Sequence, residues 1–277
     1  LILTSATPHD GKSENFASVI QLLEQTAIAD RSNYGREDVE SYFVRRFKKD
    51  VAHESGDAFQ ERVLEPKHVD ASPEEDAVFA RLEGLEFRTI ANQRNQKGIL
   101  FRTLLLKAFL SSPSACQSTI EERLKTLERL EGKPGIDGAA VQHDQQLLRD
   151  LRRLVAAVPP DRFAKYRRLC DDLRTLGIGR RGDKTRVVIF SERIDTLLFL
   201  RDRLSADLGL SDEQTALFFG AMDDQEQNRT ISSFSTADSP LRLLLASDAA
   251  AEGLNLHHHC HRLVHYDIPW SLITLEQ

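Results

Sequence analysis

From residue 186 to residue 266 the sequence alternates short apolar runs with amphipathic segments, and this alternation constrains the fold more than any other feature. Arg186-Val187-Val188-Ile189-Phe190 and Leu243-Leu244-Leu245-Ala246 are continuous apolar runs, the kind needed by a strand covered on both faces. Leu217-Phe218-Phe219 and Leu263-Val264-His265-Tyr266 are two further short strands. Between them lie a helical pattern on Ile194, Leu197, Leu198, Arg201 and Leu204 and a second over residues 224–235. The order predicts an α/β fold, a mostly parallel sheet with helices on both faces. Such sheets bind ligands at the carboxyl ends of their strands, so the loops beginning at Ser191, Gly220, Ser247 and Asp267 are the first places to look for function.

The chain has 277 residues, 40% of them hydrophobic, enough for a sizeable core in one large domain or two ordinary ones. With 37 Lys and Arg against 43 Asp and Glu the net charge is −6, so any polyanion site must be local. Cys116, Cys170 and Cys260 are too few and too widely spaced for a disulfide framework, which favours a reducing, cytoplasmic compartment. No 18-residue apolar run is present to span a membrane.

Leu1-Ile2-Leu3-Thr4 reads as a buried strand that starts abruptly, and Ile273 to Gln277 stops inside a helical pattern, so the expectation is a piece cut at both ends. Ser13 is the expected N-cap of a helix on Phe16, Val19, Ile20 and Leu23, and the segment from Val63 to Val69 is a further candidate strand. Ser72-Pro73-Glu74-Glu75 combines a capping box with Pro at the first helical position. Four helices are expected from there to residue 158, carried by Val78, Leu82 and Leu85, by Leu104, Leu105 and Phe109, by Ile120, Leu124 and Leu127, and by Leu148, Leu151 and Val155. Pro159-Pro160 punctuates the chain, and Asp161 opens an amphipathic helix that stops at Gly177. The resulting division is 1–71, a helical module over 72–160, and an α/β part over 161–277.

Phe190-Ser191-Glu192, Phe219-Gly220-Ala221-Met222 and Ala246-Ser247-Asp248 each end a strand with a hydroxyl, a carboxylate or a Gly. Each alone suits a helix N-cap as well as a ligand site. Together with Glu252-Gly253-Leu254-Asn255 they favour a phosphate or ribose, because Gly lets backbone amides approach and Asn both donates and accepts.

These segments resemble the motifs of superfamily-two helicases. Leu3-Thr4-Ser5-Ala6-Thr7-Pro8 is similar to motif III, Val187 to Ser191 to motif IV, Leu244 to Leu256 to motif V, and Tyr266 to Ser271 with Leu275-Glu276-Gln277 to the approach to motif VI. Order and spacing resemble the Swi/Snf-like ATPases. His9-Asp10-Gly11 and Ser111-Ser112-Pro113 resemble their bacterial branch, which includes the RNA-polymerase-associated ATPase and phage-defence helicases. The resemblance implies RecA-like lobes: the end of the first over 1–71, a helical protrusion over 72–160, and the second over 161–277. It implies that Ser5, Ala6 and Thr7 couple nucleotide state to lobe movement and that Ser191, Gly220, Ser247 and Asp248 lie along the nucleic-acid path. Gly253 and Asn255 would face the nucleotide, and Gln277 would open motif VI. The implied activity is ATP-dependent translocation on double-stranded DNA, gripped through its phosphates, with ATP and Mg²⁺ used by the intact parent and none bound to this piece. A protein partner such as RNA polymerase or a defence-system subunit is implied as well.

No Gly-x-x-x-x-Gly-Lys-Ser/Thr and no Asp-Glu acid pair of motif II occur, so these residues alone are expected to hydrolyse no ATP and to contain no catalytic residue. The rival readings are a non-catalytic RecA-like and helical module that binds a protein, and a small-molecule enzyme using Ser191 or Ser247, neither of which sits in a Gly-x-Ser-x-Gly elbow. His257-His258-His259-Cys260-His261 is not expected to hold a metal, since neighbours in an extended segment point to alternate faces. The basic run Arg45-Arg46-Phe47-Lys48-Lys49 is a candidate for contact with DNA phosphates or with the other lobe, against the alternative of a solvated face.

Overall fold

The computed structural model describes residues 2–4, 12–44, 63–90, 96–247 and 259–268. The chain divides into a smaller unit that ends at Lys67 and a larger one that begins at His68. In the smaller unit, Ala17 and Ile20 share one face of α1 (Ser13–Gln21) and pack with Ile28 and with Val39 of the single-turn α2 (Arg36–Val39). The Tyr34 hydroxyl donates to the Ser13 carbonyl at 2.7 Å, and the Gln21 amide to the Ile28 carbonyl at 2.9 Å, which closes the loop between them. The N-cap of α1 is Lys12 rather than the expected Ser13, and its side chain makes no capping bond.

Neither strand expected in this part of the chain is found. Ile2 and Leu3 are 89% and 45% exposed and residues 2–4 carry no strand, and residues 63–69 are also outside any strand. Apolar, β-favouring residues make a strand only beside a ladder partner, and neither segment pairs with one among the described residues.

The larger unit begins with four helices, α3 (Pro73–Glu83), α4 (Gln96–Ser111), α5 (Pro113–Leu130) and α6 (Gly138–Ala156). The capping box at the start of α3 forms as expected: Ser72 Oγ accepts from the Glu75 amide at 3.2 Å, and Glu75 Oε2 accepts from the Ser72 amide at 2.8 Å. The same Glu75 oxygen accepts from the Ala164 amide at 3.2 Å, so one buried carboxylate serves the first turns of two helices. The second of these is α7 (Ala164–Thr175), which starts after a 3-10 turn over Pro160–Arg162 and therefore three residues later than Asp161.

Beyond α7 come β1 (Val187–Phe190), α8 (Ile194–Leu208), β2 (Thr215–Phe218), α9 (Asp224–Ser235), β3 (Leu243–Ala246) and β4 (Leu263–His265). The strands form one sheet in the order β2-β3-β1-β4, with all three pairings parallel. Alternate residues of the strands face opposite layers, as the two-residue period requires. Val187, Ile189, Leu243 and Leu245 join the large core with α7, α8 and the helical module, whereas Val188, Leu244, Ala246 and Phe218 pack with Phe234 of α9. Both faces are thus covered, which accounts for strands that are apolar without alternation. This is the expected parallel α/β sheet with helices on both faces and an added helical part. The large core runs without a break from Val78 of α3 through Leu127 of α5 to Leu197 and Leu200 of α8.

Candidate nucleic-acid interface

The ladder continues one residue past each strand on the carboxyl side. The Ser191 amide donates to the Ala246 carbonyl at 3.1 Å, the Ser247 amide to Phe218 at 2.9 Å, and the Tyr266 amide to Phe190 at 2.9 Å. These bonds bring the ends of the four strands level and form a rim that carries Gly220, Ser247, Ser191 and Asp267. The chain leaves the adjacent strands β1 and β3 toward opposite edges of the sheet, to β2 and to β4 respectively. The rim at Ser191 and Ser247 is therefore a topological switch point, where an open α/β sheet forms its crevice.

The three described candidates on this rim differ in what they offer. Gly220 is exposed, has no positive φ, and a Cβ built there meets no atom within 4 Å, so the fold itself does not require a glycine. Its turn is held against α9 by the Gln227 amide, which donates to the carbonyls of Phe219 at 3.4 Å and Met222 at 3.2 Å. Ser247 is partly buried, with its amide tied to β2. Ser191 is fully buried, and its hydroxyl donates to Asp267 Oδ2 at 2.6 Å, so it serves an internal network and not the surface of the rim.

That network is the main feature sequence reasoning missed. Asp267 Oδ2 also accepts from Ser111 Oγ at 2.8 Å, and Oδ1 pairs with Lys165 Nζ at 2.6 Å. Lys165, on the first turn of α7, donates in addition to the Leu110 carbonyl at 3.0 Å and stands 4.1 Å from the centre of the Tyr266 ring. Burial pushes the Lys165 ammonium below its ordinary value, against the opposing pull of Asp267 and, more weakly, of Glu192. Burial likewise raises the Tyr266 phenol well above its usual range, with the Asp267 charge adding to the effect. Thr196, at the start of α8, bonds Ser111 at 2.7 Å and Ser112 at 2.8 Å. One signal for this cluster is legible in the sequence: Ser112 before Pro113 is a helix start, and Ser112 Oγ does accept from the Ala115 amide at 3.1 Å.

Ser5, Ala6, Thr7, Asp248, Gly253, Asn255 and Gln277, together with the basic run Arg45 to Lys49, lie outside the described residues. Among the described residues no three His, Cys, Asp or Glu side chains converge as a metal site would require, and Cys260 donates its thiol to the carbonyls of Arg262 at 3.2 Å and Arg186 at 3.4 Å.

Residues 164–277, which hold the whole sheet and its rim, match the helicase conserved C-terminal domain family. The four-stranded parallel sheet lies wholly inside that matched segment. An uncharacterised ATP-dependent helicase of Bacillus subtilis is 22% identical over 288 aligned residues, covering 100% of this chain and 46% of that protein. An SNF2 domain-containing protein of Arabidopsis thaliana, CLASSY 4, is 32% identical over 90 residues, 32% of this chain and 8% of that protein. The chain spans less than half the length of these curated relatives. Among solved structures, the SWI2/SNF2 ATPase core domain of Sulfolobus solfataricus aligns with a TM-score of 0.47 at 17% identity, covering 98% of this chain and 51% of that one. The C-terminal part of the Fun30 ATPase domain aligns with a TM-score of 0.47 at 14% identity, covering 76% of each chain.

Proposed function

We propose that this chain supplies the nucleic-acid-gripping rim and one side of the nucleotide site of an ATP-dependent DNA translocase or helicase of the Swi/Snf-like kind. Residues 1–71 are read as the end of the first RecA-like lobe, 72–160 as a helical protrusion and 161–277 as the second lobe. The observation that carries this reading is the level carboxyl rim, on which Gly220, Ser247 and Ser191 end three adjacent parallel strands beside a switch point.

On this reading, exposed backbone at Gly220 and the hydroxyl of Ser247 hold phosphates of one strand, with Asp248 beside them. Ser191 acts by where it sets the chain, because its hydroxyl is already engaged by Asp267. Phosphate contacts carry no sequence information, which suits a motor that steps along any duplex, and such binding weakens steeply with salt. Gly253 and Asn255 face the nucleotide, Gln277 opens motif VI, and Ser5, Ala6 and Thr7 relay nucleotide state between the lobes. ATP is the substrate, with Mg²⁺. No Gly-x-x-x-x-Gly-Lys-Ser/Thr cradle occurs in these 277 residues, and the Asp-Glu pair at Asp212-Glu213 precedes β2 instead of ending a strand, so on this reading the complete protein supplies the cradle and the metal-holding acid pair from other sequence. ATP binding closes the lobes, hydrolysis reopens them, and alternating grip on phosphates moves the protein along DNA.

The test is ATP turnover by the complete protein with and without duplex DNA. DNA should stimulate turnover, and Asp248→Ala or Gly253→Ala should lower it about tenfold, equivalent to ~1.4 kcal/mol of barrier, with the fold intact by circular dichroism. Wild-type turnover in both variants removes the motif V assignment. A complete protein that hydrolyses no ATP yet still binds RNA polymerase would favour the adaptor reading instead.

A further inference from the structure

Hydroxyl groups carry one proton each, and that count gives the network around Asp267 a direction. Ser111 gives its proton to the Asp267 carboxylate at 2.8 Å, so in the 2.7 Å bond between Ser111 and Thr196 it is Thr196 that donates. Thr196 has then no proton left for Ser112, so in their 2.8 Å bond Ser112 donates, while its oxygen accepts from the Ala115 amide at 3.1 Å. A single file of hydrogen bonds therefore runs from the first turn of α5 through Ser112, Thr196 and Ser111 to Asp267. Two more donors meet the same carboxylate, Ser191 from the end of β1 at 2.6 Å and Lys165 from α7 at 2.6 Å. Ser111, Ser112, Ser191 and Thr196 are all buried, and the Asp267 side chain is 12% exposed. In such surroundings a chain of bonds polarised toward one anion is stronger than the same bonds taken singly.

The partners of Asp267 come from the helical module, from α7 and from the rim of the sheet, and Thr196 at the start of α8 joins them through Ser111. Asp267 itself stands two residues beyond the end of β4. We propose that Asp267 is a positioning residue: its negative charge locks the exit of β4 and the rim at Ser191 to the helical module, so that these move as one body during turnover. This rests on the function proposed above and deepens it, since it assigns the helical module a part in coupling through one carboxylate. The lock needs the charge and not merely the shape. An amide at 267 offers one acceptor oxygen and an NH₂ that faces a lysine or two hydroxyls whose protons already point at it.

Two measurements on the complete protein separate the lock from its consequence. In Asp267→Asn, amide hydrogen exchange should rise at least tenfold together at residues 112–116 and 191–197, although some 80 residues of sequence lie between them. Unchanged exchange in either segment overturns the lock. In the same variant, kcat of DNA-stimulated ATP hydrolysis should fall tenfold or more, while KM for ATP and the DNA concentration for half-maximal stimulation stay within threefold. Equal losses in kcat, KM and DNA affinity, or a wild-type kcat, overturn the positioning role even if exchange rises. Ser111→Ala, which removes one donor and no charge, should show the same split at about threefold and covers the case in which Asp267→Asn does not fold. Lys165→Met combined with Asp267→Asn should be no worse than the poorer single variant, because the two side chains act as a pair. If the wild-type protein shows no DNA-stimulated turnover, the proposed function falls, and the exchange arm still decides whether the lock exists.

Discussion

Asp144 has no solvent exposure, and an isolated carboxylate there would be neutral. Burial pushes its pKa up, but it accepts from the amides of Arg88 at 2.8 Å and Thr89 at 2.9 Å, from Thr89 Oγ1 at 2.5 Å and from His143 at 3.2 Å, and these bonds outweigh burial and leave the group below its usual value. Arg123, which also donates to Thr89 at 2.7 Å, adds a second tie from α5 to the same turn. A depressed folded pKa contributes stability that is complete above the unfolded value of about 3.9 and is lost as pH falls through the folded one. The protein should therefore lose stability in urea melts below about pH 4, and Asp144→Asn should flatten that part of the pH profile while costing about 1–3 kcal/mol at neutral pH. A variant with the wild-type acid slope would mean that Asp144 is not the group responsible. Nothing in the sequence marks Asp144: it occupies an interior helical position between polar residues, and its importance comes from a turn 55 residues away.

At the scale of elements, ends matter more than middles. Glu75 accepts bonds at the start of both α3 and α7, and Arg186, itself buried, donates to the carbonyls of Phe234, Thr236 and Ala237 at the end of α9. Glu75→Ala should lower stability by about 2–4 kcal/mol, as two capping contacts are removed and amides are left unpaired, and Glu75→Gln, which keeps an acceptor, by roughly 1 kcal/mol. Equal losses in the two variants, measured by denaturant unfolding, would contradict the capping account. The first of Glu75's roles is visible in Ser72-Pro73-Glu74-Glu75, since a capping box is a local pattern; the second is tertiary and has no local signature. The same distinction decides which elements sequence reasoning finds. Residues 224–235 and 243–246 match α9 and β3 end for end, because Asp223 caps one and a buried four-residue run defines the other. Residues 2–4 and 63–69 have the apolar, branched composition of strands and are not strands, because pairing depends on a neighbour that composition does not contain. On the rim, Gly220, Ser247 and Ser191 were legible as strand ends, whereas the internal engagement of Ser191 required Asp267, 76 residues on.

For the larger unit as a whole, a helical module and a parallel sheet share one apolar core, and Asp267 behind the rim is one of the polar contacts between them. A surface carrying no net positive charge across the chain can still hold a polyanion if its amides and hydroxyls are gathered on one edge, and the strand order gathers them there. The most direct measurement is photo-crosslinking to duplex DNA from a benzophenone side chain placed, in the complete protein, at position 220 or 247 on the carboxyl rim, or at 213, exposed at the opposite end of β2. Salt-sensitive crosslinks from 220 and 247, with none from 213, are the predicted result. Crosslinks from 213 with none from 220 or 247 would contradict the account.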